Sequence, residues 1–517
     1  MINSRFIGLT LLSVTSLFHQ VDAQEMKINV DAIVKEATEH SELERLAHEL
    51  LDGIGTRLVG SPQMKQANDW VVSTYQSWGI SAQNEAYGDW KAWERGNTTI
   101  ELTHPRKQQL VGRQLAWTPS MKKAIEAEVI ILPKFTDVTD VTTFLKTVKG
   151  KIVLMSPYFP SGRPEEQWKE FATENDYIGY KAEKSAIQES WNANLKKTGK
   201  TSTKFIEALE EAGASGIIIN GWTGITGSNR VFDAKTKSIP HLDLNNEDYG
   251  IIYRLAKFGN KPKLKVQTES KHLGETKVFN TIATIPGTTH KNEYVMLSAH
   301  LDAWDGAQGA TDNGTGTILM MEVARIIQKL YPNAKRTILI GHWNSEEQGL
   351  NGSTAFVNDH PEIIRNLKVL FNQDSGTGRI TSINGQGFID AYDYLGRWME
   401  QIPDSIKKYI TTTFPGVPQT RGTDNVPFVA AGVPAFAFGS QNWGYGPYTW
   451  HTNLDTYDKI VFQEVIKNVI TTAILTLEAA NDPNEISNQR RVMPLDKEGE
   501  LQPWPTLKEP NRRGRLD

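Results

Sequence analysis

After residue 280 the apolar positions fall into a repeating order of short continuous runs and helical stripes. The runs Glu293–Ser298, Arg336–His342 and Leu367–Asn372 predict strands, and a further one is expected at Ala435–Gly439. Between and after them, Thr315–Leu330, Gly352–Asp359 and Val461–Ala480 carry apolar residues at helical spacing and predict helices. Strands that are apolar on both faces (YVMLS, TILIG, KVLF) belong in a sheet covered on both sides. The alternation therefore predicts an α/β fold, a doubly wound, mixed but mainly parallel sheet flanked by helices. Sites in such sheets lie beyond the carboxyl ends of the strands.

Upstream the texture differs. Residues 28–52 read as helical, and GIGTRLVGSP at 53–62 reads as a glycine-punctuated loop. A helix follows with Ala67, Val71, Val72, Tyr75 and Trp78 on one face and Gly79 as its stop. From about 95 to 280, short strands at Glu128–Leu132, Lys151–Met155 and Ser215–Ile219 are set among long polar stretches such as Glu165–Lys200, with a helix at Thr203–Ala212. Residues 122–275 are therefore expected to be an inserted, smaller α/β domain. It would split a larger one into 24–121 and 276–481, with a polar, proline-bearing tail at 482–517 that either wraps the surface or stays mobile. At the N-terminus, Arg5, the apolar stretch Phe6–Phe18 and Val21-Asp22-Ala23 have the build of a signal peptide cleaved after Ala23. An exported protein, secreted or periplasmic, is expected.

Composition narrows the function. Among 517 residues, 56 Lys and Arg against 60 Asp and Glu leave a net charge of -4, which gives no reason to expect nucleic acid or an anionic membrane as partner. There is no cysteine. That excludes disulfides, thiol nucleophiles, cysteine-ligated zinc and a lipid anchor on an N-terminal cysteine, so no membrane anchor is expected. Self-association to a homodimer stays open.

The chemistry collects behind the predicted strands. The first is followed by His300, Asp302 and Asp312, the second by Glu346 and Glu347, the third by Asp374, and His451 lies in a later loop. Each piece alone has an ordinary explanation: an adjacent Glu pair is commonly a solvated helix start, Asp-Asn-Gly a turn, and a second His-x-Asp at His241–Asp243 reads as structural. Together they put two imidazoles and several carboxylates at one sheet edge, where carboxylates repel unless cations hold them. Nitrogen and oxygen donors without sulfur suit zinc, or less tightly manganese or cobalt. Two ions close together need one bridging carboxylate. The count allows Asp312 as bridge, His300 with Asp374 on one ion, and Glu347 with His451 on the other. Glu346 is left free as general base, and Asp302 is positioned to orient His300.

The strings HLDAWDGAQGATDNGTG, NSEEQGLNGS, FNQDSG and WHTNLDTYDKI resemble the co-catalytic zinc exopeptidases, the secreted bacterial zinc aminopeptidases and their relatives. AWDGAQGATDNG is similar to the carboxypeptidase Q (plasma glutamate carboxypeptidase) branch, and VKGKIVLMSP with GASGIIINGWTG resembles a protease-associated domain. The resemblance implies two Zn2+ per protomer on His300, Asp312, Glu347, Asp374 and His451, with Glu346 as base. It also implies an acid at Asp424, in RGTDNVPF, beside the ligands. Many relatives have His after that Asp; here it is Asn425, so the role of that His does not carry over. A tyrosine that stabilises the oxyanion is implied too, and Tyr445 and Tyr448 are both candidates. Trp443 and Trp450 are candidate pocket walls; Trp304 and Trp343 wall the pocket or pack the sheet edge.

Small peptides are the expected substrates. A carboxylate-ringed metal site suits a free α-ammonium group, which favours an aminopeptidase; a dipeptidase or carboxypeptidase of the carboxypeptidase Q type is the alternative. A one-zinc glutaminyl cyclase and a metal-free binding ectodomain rank lower, the latter because all five ligands and the base are present. No HExxH, G-x-S-x-G or nucleotide-binding glycine motif occurs.

Overall fold

The computed structural model describes residues 28–514; the predicted signal peptide lies outside the described residues. In chain order the strands are β1 (Ser81–His104), β2 (Gln108–Gln109), β3 (Gly112–Gln114), β4 (Ile125–Ile131), β5 (Ile152–Leu154), β6 (Gly216–Ile219) and β7 (His241–Leu244). They continue as β8 (Lys263–Ile285), β9 (His290–His300), β10 (Arg336–Trp343), β11 (Leu367–Gln373), β12 (Ile380–Asn384), β13 (Thr411–Thr413) and β14 (Ala435–Ser440). Their spatial order is β13-β12-β14-β11-β9-β10-β8-β4-β5-β6-β7-β3, with β1 paired to β8. The β14-β11-β9-β10 centre is parallel, while β8 runs antiparallel to β1 and β10, and β12 antiparallel to β14. The sheet is thus mixed, with parallel central strands and helices over both faces, as the alternation predicts.

The apolar runs explain that arrangement. Val295, Met296 and Leu297 of β9 and Val369, Leu370 and Phe371 of β11 are wholly buried, and residues 315–327 of the helix Thr315–Leu330 are buried beside them. The helix Pro62–Ser77 starts where Ser61 accepts a hydrogen bond from the Met64 N–H (3.1 Å), with Pro62 at a position whose missing N–H costs nothing.

Three differences from the sequence reading have physical causes. The segment read as helical at 28–52 is broken: Val30–Glu39 and Leu43–Ala47 are separated at 40–42, where Arg325 donates to the His40 carbonyl (3.0 Å) and Glu322 accepts the Glu42 N–H (3.3 Å). The polar stretch 165–200 contains a helix, Glu174–Lys196, that buries only Tyr180; Thr173 caps it and pairs such as Ser185–Glu189 brace it. A helix with almost no apolar stripe gives no periodic signal. Most conspicuously, β1 and β8 form one long antiparallel ribbon from Ser81↔Thr284 to His104↔Lys263. Leu264 and Val266 of β8 enter a core with Ile100, Val129 and Leu242, while Ile282, Ala283 and Ile285 enter the large core. The two cores therefore share a strand.

Beyond Asp482 the chain has almost no regular structure but lies along the surface, anchored by contacts such as the Trp504 indole N–H on the Val429 carbonyl (2.9 Å). Among the described residues, no helix is long and apolar enough to cross a membrane.

Candidate metal centre and active-site cleft

β9 ends on His300, β10 leads into Glu346 and Glu347, and β11 into Asp374, so three adjacent parallel strands deliver their polar ends to one edge. His300 Nδ1 lies 2.9 Å from the Asp302 carbonyl oxygen, an acceptor, so Nδ1 carries the proton. Nε2 then faces two carboxylates, Asp374 Oδ1 at 3.2 Å and Asp312 Oδ1 at 3.4 Å. On the other side, His451 Nε2 lies 2.9 Å from Glu347 Oε2 and 3.2 Å from Asp312 Oδ2. Asp312 thus turns one oxygen to each histidine. The donor atoms of His300, Asp312 and Asp374 lie within 4.8 Å of one another, as do those of Asp312, Glu347 and His451.

The loops that hold these groups are themselves held from beneath. Asp302 spreads its carboxylate under the Glu346 and Glu347 N–H groups (3.2 and 3.3 Å), with Oδ1 3.6 Å from His300 Nδ1. It orients the histidine through its carbonyl and the glutamate loop through its side chain. Asp455 accepts the Thr311 and Asp312 N–H groups (2.7 and 3.1 Å). The fully buried Arg57 donates to the carbonyls of Gly55, Leu301, Gln308 and Gly309 (3.1, 2.6, 2.6 and 2.9 Å), tying GTRLVGSP to the loop before Asp312. Neither Arg57 nor Asp455 was singled out from the sequence, although both lie in strings that carried the resemblance.

The charge balance is strongly negative. Burial opposes protonation of His300, yet Asp374 and Glu346 outweigh it and hold the imidazole well above its ordinary range. His451 is pushed up to about 9: burial again opposes, and Glu347 and Asp312 prevail. Burial, with Asp312 beside it, raises Glu347 to about 7. Asp424 is fully buried and receives the Ser353 hydroxyl; burial raises it to about 8 despite His300. Burial likewise lifts Glu346 far above the carboxylate range, with Asp374, Asp424 and Glu347 adding to it. So many interacting carboxylates in one place call for positive charge.

The centre opens into a cleft of about 1200 Å³ lined by Asp312, Glu346, Glu347, Asp374, Tyr445 and Trp450. Tyr445 packs over Gly376, and burial with Asp312 and Asp374 nearby keeps its phenol well above 10. Tyr448 and Trp443 line a separate, smaller cleft with Thr377 and Lys459. Trp304 is buried between Phe232 and Trp117, and Trp343 is an interior residue whose indole N–H donates to Ser298 Oγ (2.7 Å). His241 and Asp243 lie away from the cleft, buried in β7. Sequence reasoning also missed Phe232, whose ring stands edge-on to His451 at 4.9 Å. Nothing in the sequence marks that contact.

Residues 280–475 match Peptidase family M28. The chain is similar to carboxypeptidase Q of Mus musculus, 26% identical over 79% of both chains, and to that of Homo sapiens, 26% identical over 76% of this chain and 75% of the other. Among solved structures, a Peptidase M28 precursor from Shewanella amazonensis aligns with a TM-score of 0.66 at 23% identity, over 89% of this chain and 97% of that one. A zinc aminopeptidase from Bacillus subtilis aligns at 0.54 and 18% identity, over 86% and 97%.

Proposed function

Since residues 280–475 are a Peptidase family M28 domain and the chain is a metallopeptidase of the co-catalytic zinc exopeptidase type, we propose that it is a dinuclear exopeptidase acting on small peptides. The observation that carries two ions rather than one is Asp312, with Oδ1 3.4 Å from His300 Nε2 and Oδ2 3.2 Å from His451 Nε2. The donor set fits zinc. Asp312 Oδ2 and Glu347 Oε1 are buried without a hydrogen-bond partner, as atoms reserved for a cation would be. His300, Asp374 and Asp312 would hold one ion; His451, Glu347 and Asp312 the other. Bound there, the ions supply Lewis acidity toward a carbonyl oxygen and lower the pKa of water.

The chain's own groups do the rest. Glu346, at the cleft and outside both triads, accepts a proton from the attacking water on its carboxylate and returns it to the departing amine nitrogen. Tyr445 is better placed than Tyr448 to donate its O–H to the oxygen that gains charge, because it shares the cleft with Glu346. Asp302, Asp424 and Asp455 orient the loops, and Trp450 walls the pocket. The N-terminal segment exports the protein, and residues 122–275 are an inserted protease-associated domain.

Aminopeptidase action is the first reading, since the acidic centre suits a free α-ammonium group. The similarity to carboxypeptidase Q over three quarters of the chain favours the alternative, a dipeptidase or carboxypeptidase. Free, N-blocked and C-blocked dipeptides separate them: N-acetylated peptides cleaved as fast as free ones exclude the aminopeptidase. Paired variants test the mechanism. Glu346→Gln keeps two zinc ions while kcat falls at least ~10²-fold. Glu347→Gln loses zinc first and regains part of its activity at high zinc. The reverse pattern in metal analysis would exchange the two roles, and no change in either would end the dinuclear reading.

A further inference from the structure

The segment that follows the M28 match is tied down at both ends. On one side the Ile389 N–H donates to the Gln489 carbonyl (2.8 Å), the Arg491 N–H to the Gly387 carbonyl (2.8 Å) and the Arg491 guanidinium to the Gly416 carbonyl (2.7 Å). On the other, the Asn511 N–H donates to Asn351 Oδ1 (2.8 Å), and the Arg512 guanidinium grips both oxygens of Asp359 (2.9 and 2.7 Å). Asn351 in turn donates to the Gln348 carbonyl (3.2 Å), in the loop that carries Glu346 and Glu347. The second anchor therefore sits beside the proposed base.

Between the anchors the chain has its own reinforcement. Asp496 and Glu500 close a turn (2.8 Å), and Trp504 is fixed by its indole N–H on the Val429 carbonyl (2.9 Å), edge-on contact with Phe388 (5.5 Å) and the Arg490 guanidinium over its ring (4.8 Å). Met493 and the run Gln502–Glu509 line the same cleft as Glu346, Glu347, Asp374 and His451. Pro503 and Pro505 have no N–H to offer, so the edge of this stretch that carries them has no donors for an extended substrate.

We propose that the C-terminal strap 493–509 is the wall that limits substrate length and confines the enzyme to short peptides. This rests on the peptidase reading above. An extended peptide advances ~3.3 Å per residue, so a wall across the cleft meets the chain a few residues from the cleaved bond, whereas an open cleft lets it pass.

The test uses free peptides of two to eight residues with a common N-terminal sequence. They are assayed on the zinc-loaded full chain, on a chain ending at Arg491, and on Trp504→Ala, whose folding is checked by circular dichroism and zinc content. Wild-type kcat/KM should fall at least ~10-fold between three and six residues, mainly through KM, and both variants should flatten that fall. Calorimetric binding of the same series to Glu346→Gln, with and without Trp504→Ala, should show the same step in affinity and its loss. A wild-type profile independent of length, or a step that survives in Trp504→Ala and in the truncated chain, would overturn the wall. If nothing is hydrolysed but the binding step is present and strap-dependent, the peptidase reading fails and the wall stands.

Discussion

His451 has φ of 59°, in the left-handed region that a residue with a Cβ enters at a cost of about 1–3 kcal/mol. The conformation persists because its surroundings dictate it. The Val231 N–H donates to the His451 carbonyl (2.9 Å), the Asn229 N–H to Asn453 Oδ1 (2.6 Å), Phe232 stands edge-on to the imidazole, and Trp450 stacks on it at 3.9 Å. Three of these come from the β6–β7 loop, far upstream in sequence. Phe232→Ala should therefore leave the fold intact and weaken zinc on the Glu347–His451 side about tenfold, the scale on which groups that orient a ligand act. Phe232→Tyr should restore most of it. A metal titration with two resolved affinities reads this directly; equal weakening of both ions would mean that Phe232 serves the fold rather than the histidine.

At the level of elements, the sequence is most informative where burial is two-sided. β9, β10, β11 and the helix Thr315–Leu330 occur where their apolar runs predict them, and with them the ends that carry His300, Glu346, Glu347 and Asp374. What was not legible depends on partners distant in sequence: the β1–β8 ribbon, about a third of whose residues are exposed, and the polar helix Glu174–Lys196. One tie between elements has a pH signature. His360, at the end of the helix Asn351–Asp359, meets Glu85 of β1 at 3.0 Å (Nε2–Oε2). The hydrogen bond to Glu85 raises the His360 pKa against opposing burial, and the same bond chiefly lowers that of Glu85. The lowered carboxylate stabilises the fold above its unfolded pKa of about 4.3, and that contribution is lost as pH falls through the lower folded value. The raised imidazole stabilises below its unfolded pKa of about 6.5, and this is lost as pH rises through the higher folded value. Wild type should thus exceed Glu85→Gln in stability most between roughly pH 4.5 and 6.5. The pair is partly exposed, so the margin should be under ~1 kcal/mol. Urea midpoints at pH 5.5 and 8.5 would measure it, and a margin larger at the higher pH would contradict the assignment.

For the molecule as a whole, metal and stability should be linked. Ions that bind only the folded chain stabilise it by about 2.7 kcal/mol per site at a hundredfold excess over Kd. Chelation should therefore lower Tm by several degrees and zinc should restore it, as scanning calorimetry would record; an unchanged Tm would argue against a cation holding the carboxylates together. The shared ribbon has a different consequence, for biosynthesis. Ser81 pairs with Thr284, and His104 with Lys263, so the strands meet across roughly 160–200 residues of chain, a separation whose closure entropy slows assembly. On the ribosome β1 emerges long before its partner, and β9 to β11, the strands that bear the proposed ligands, emerge later still. The intervening residues have a core of their own around Phe205 and Val153, beside the one around Val129 and Leu242 that takes in Ile100, Leu264 and Val266 of the ribbon. If they fold first, they draw the two ends together, and the distant pairing becomes nearly local. Until then β1 must wait without sticking to other chains. Its Glu85, Asp89, Lys91, Glu94 and Arg95 put charge along a nascent edge that would otherwise invite pairing with the wrong strand.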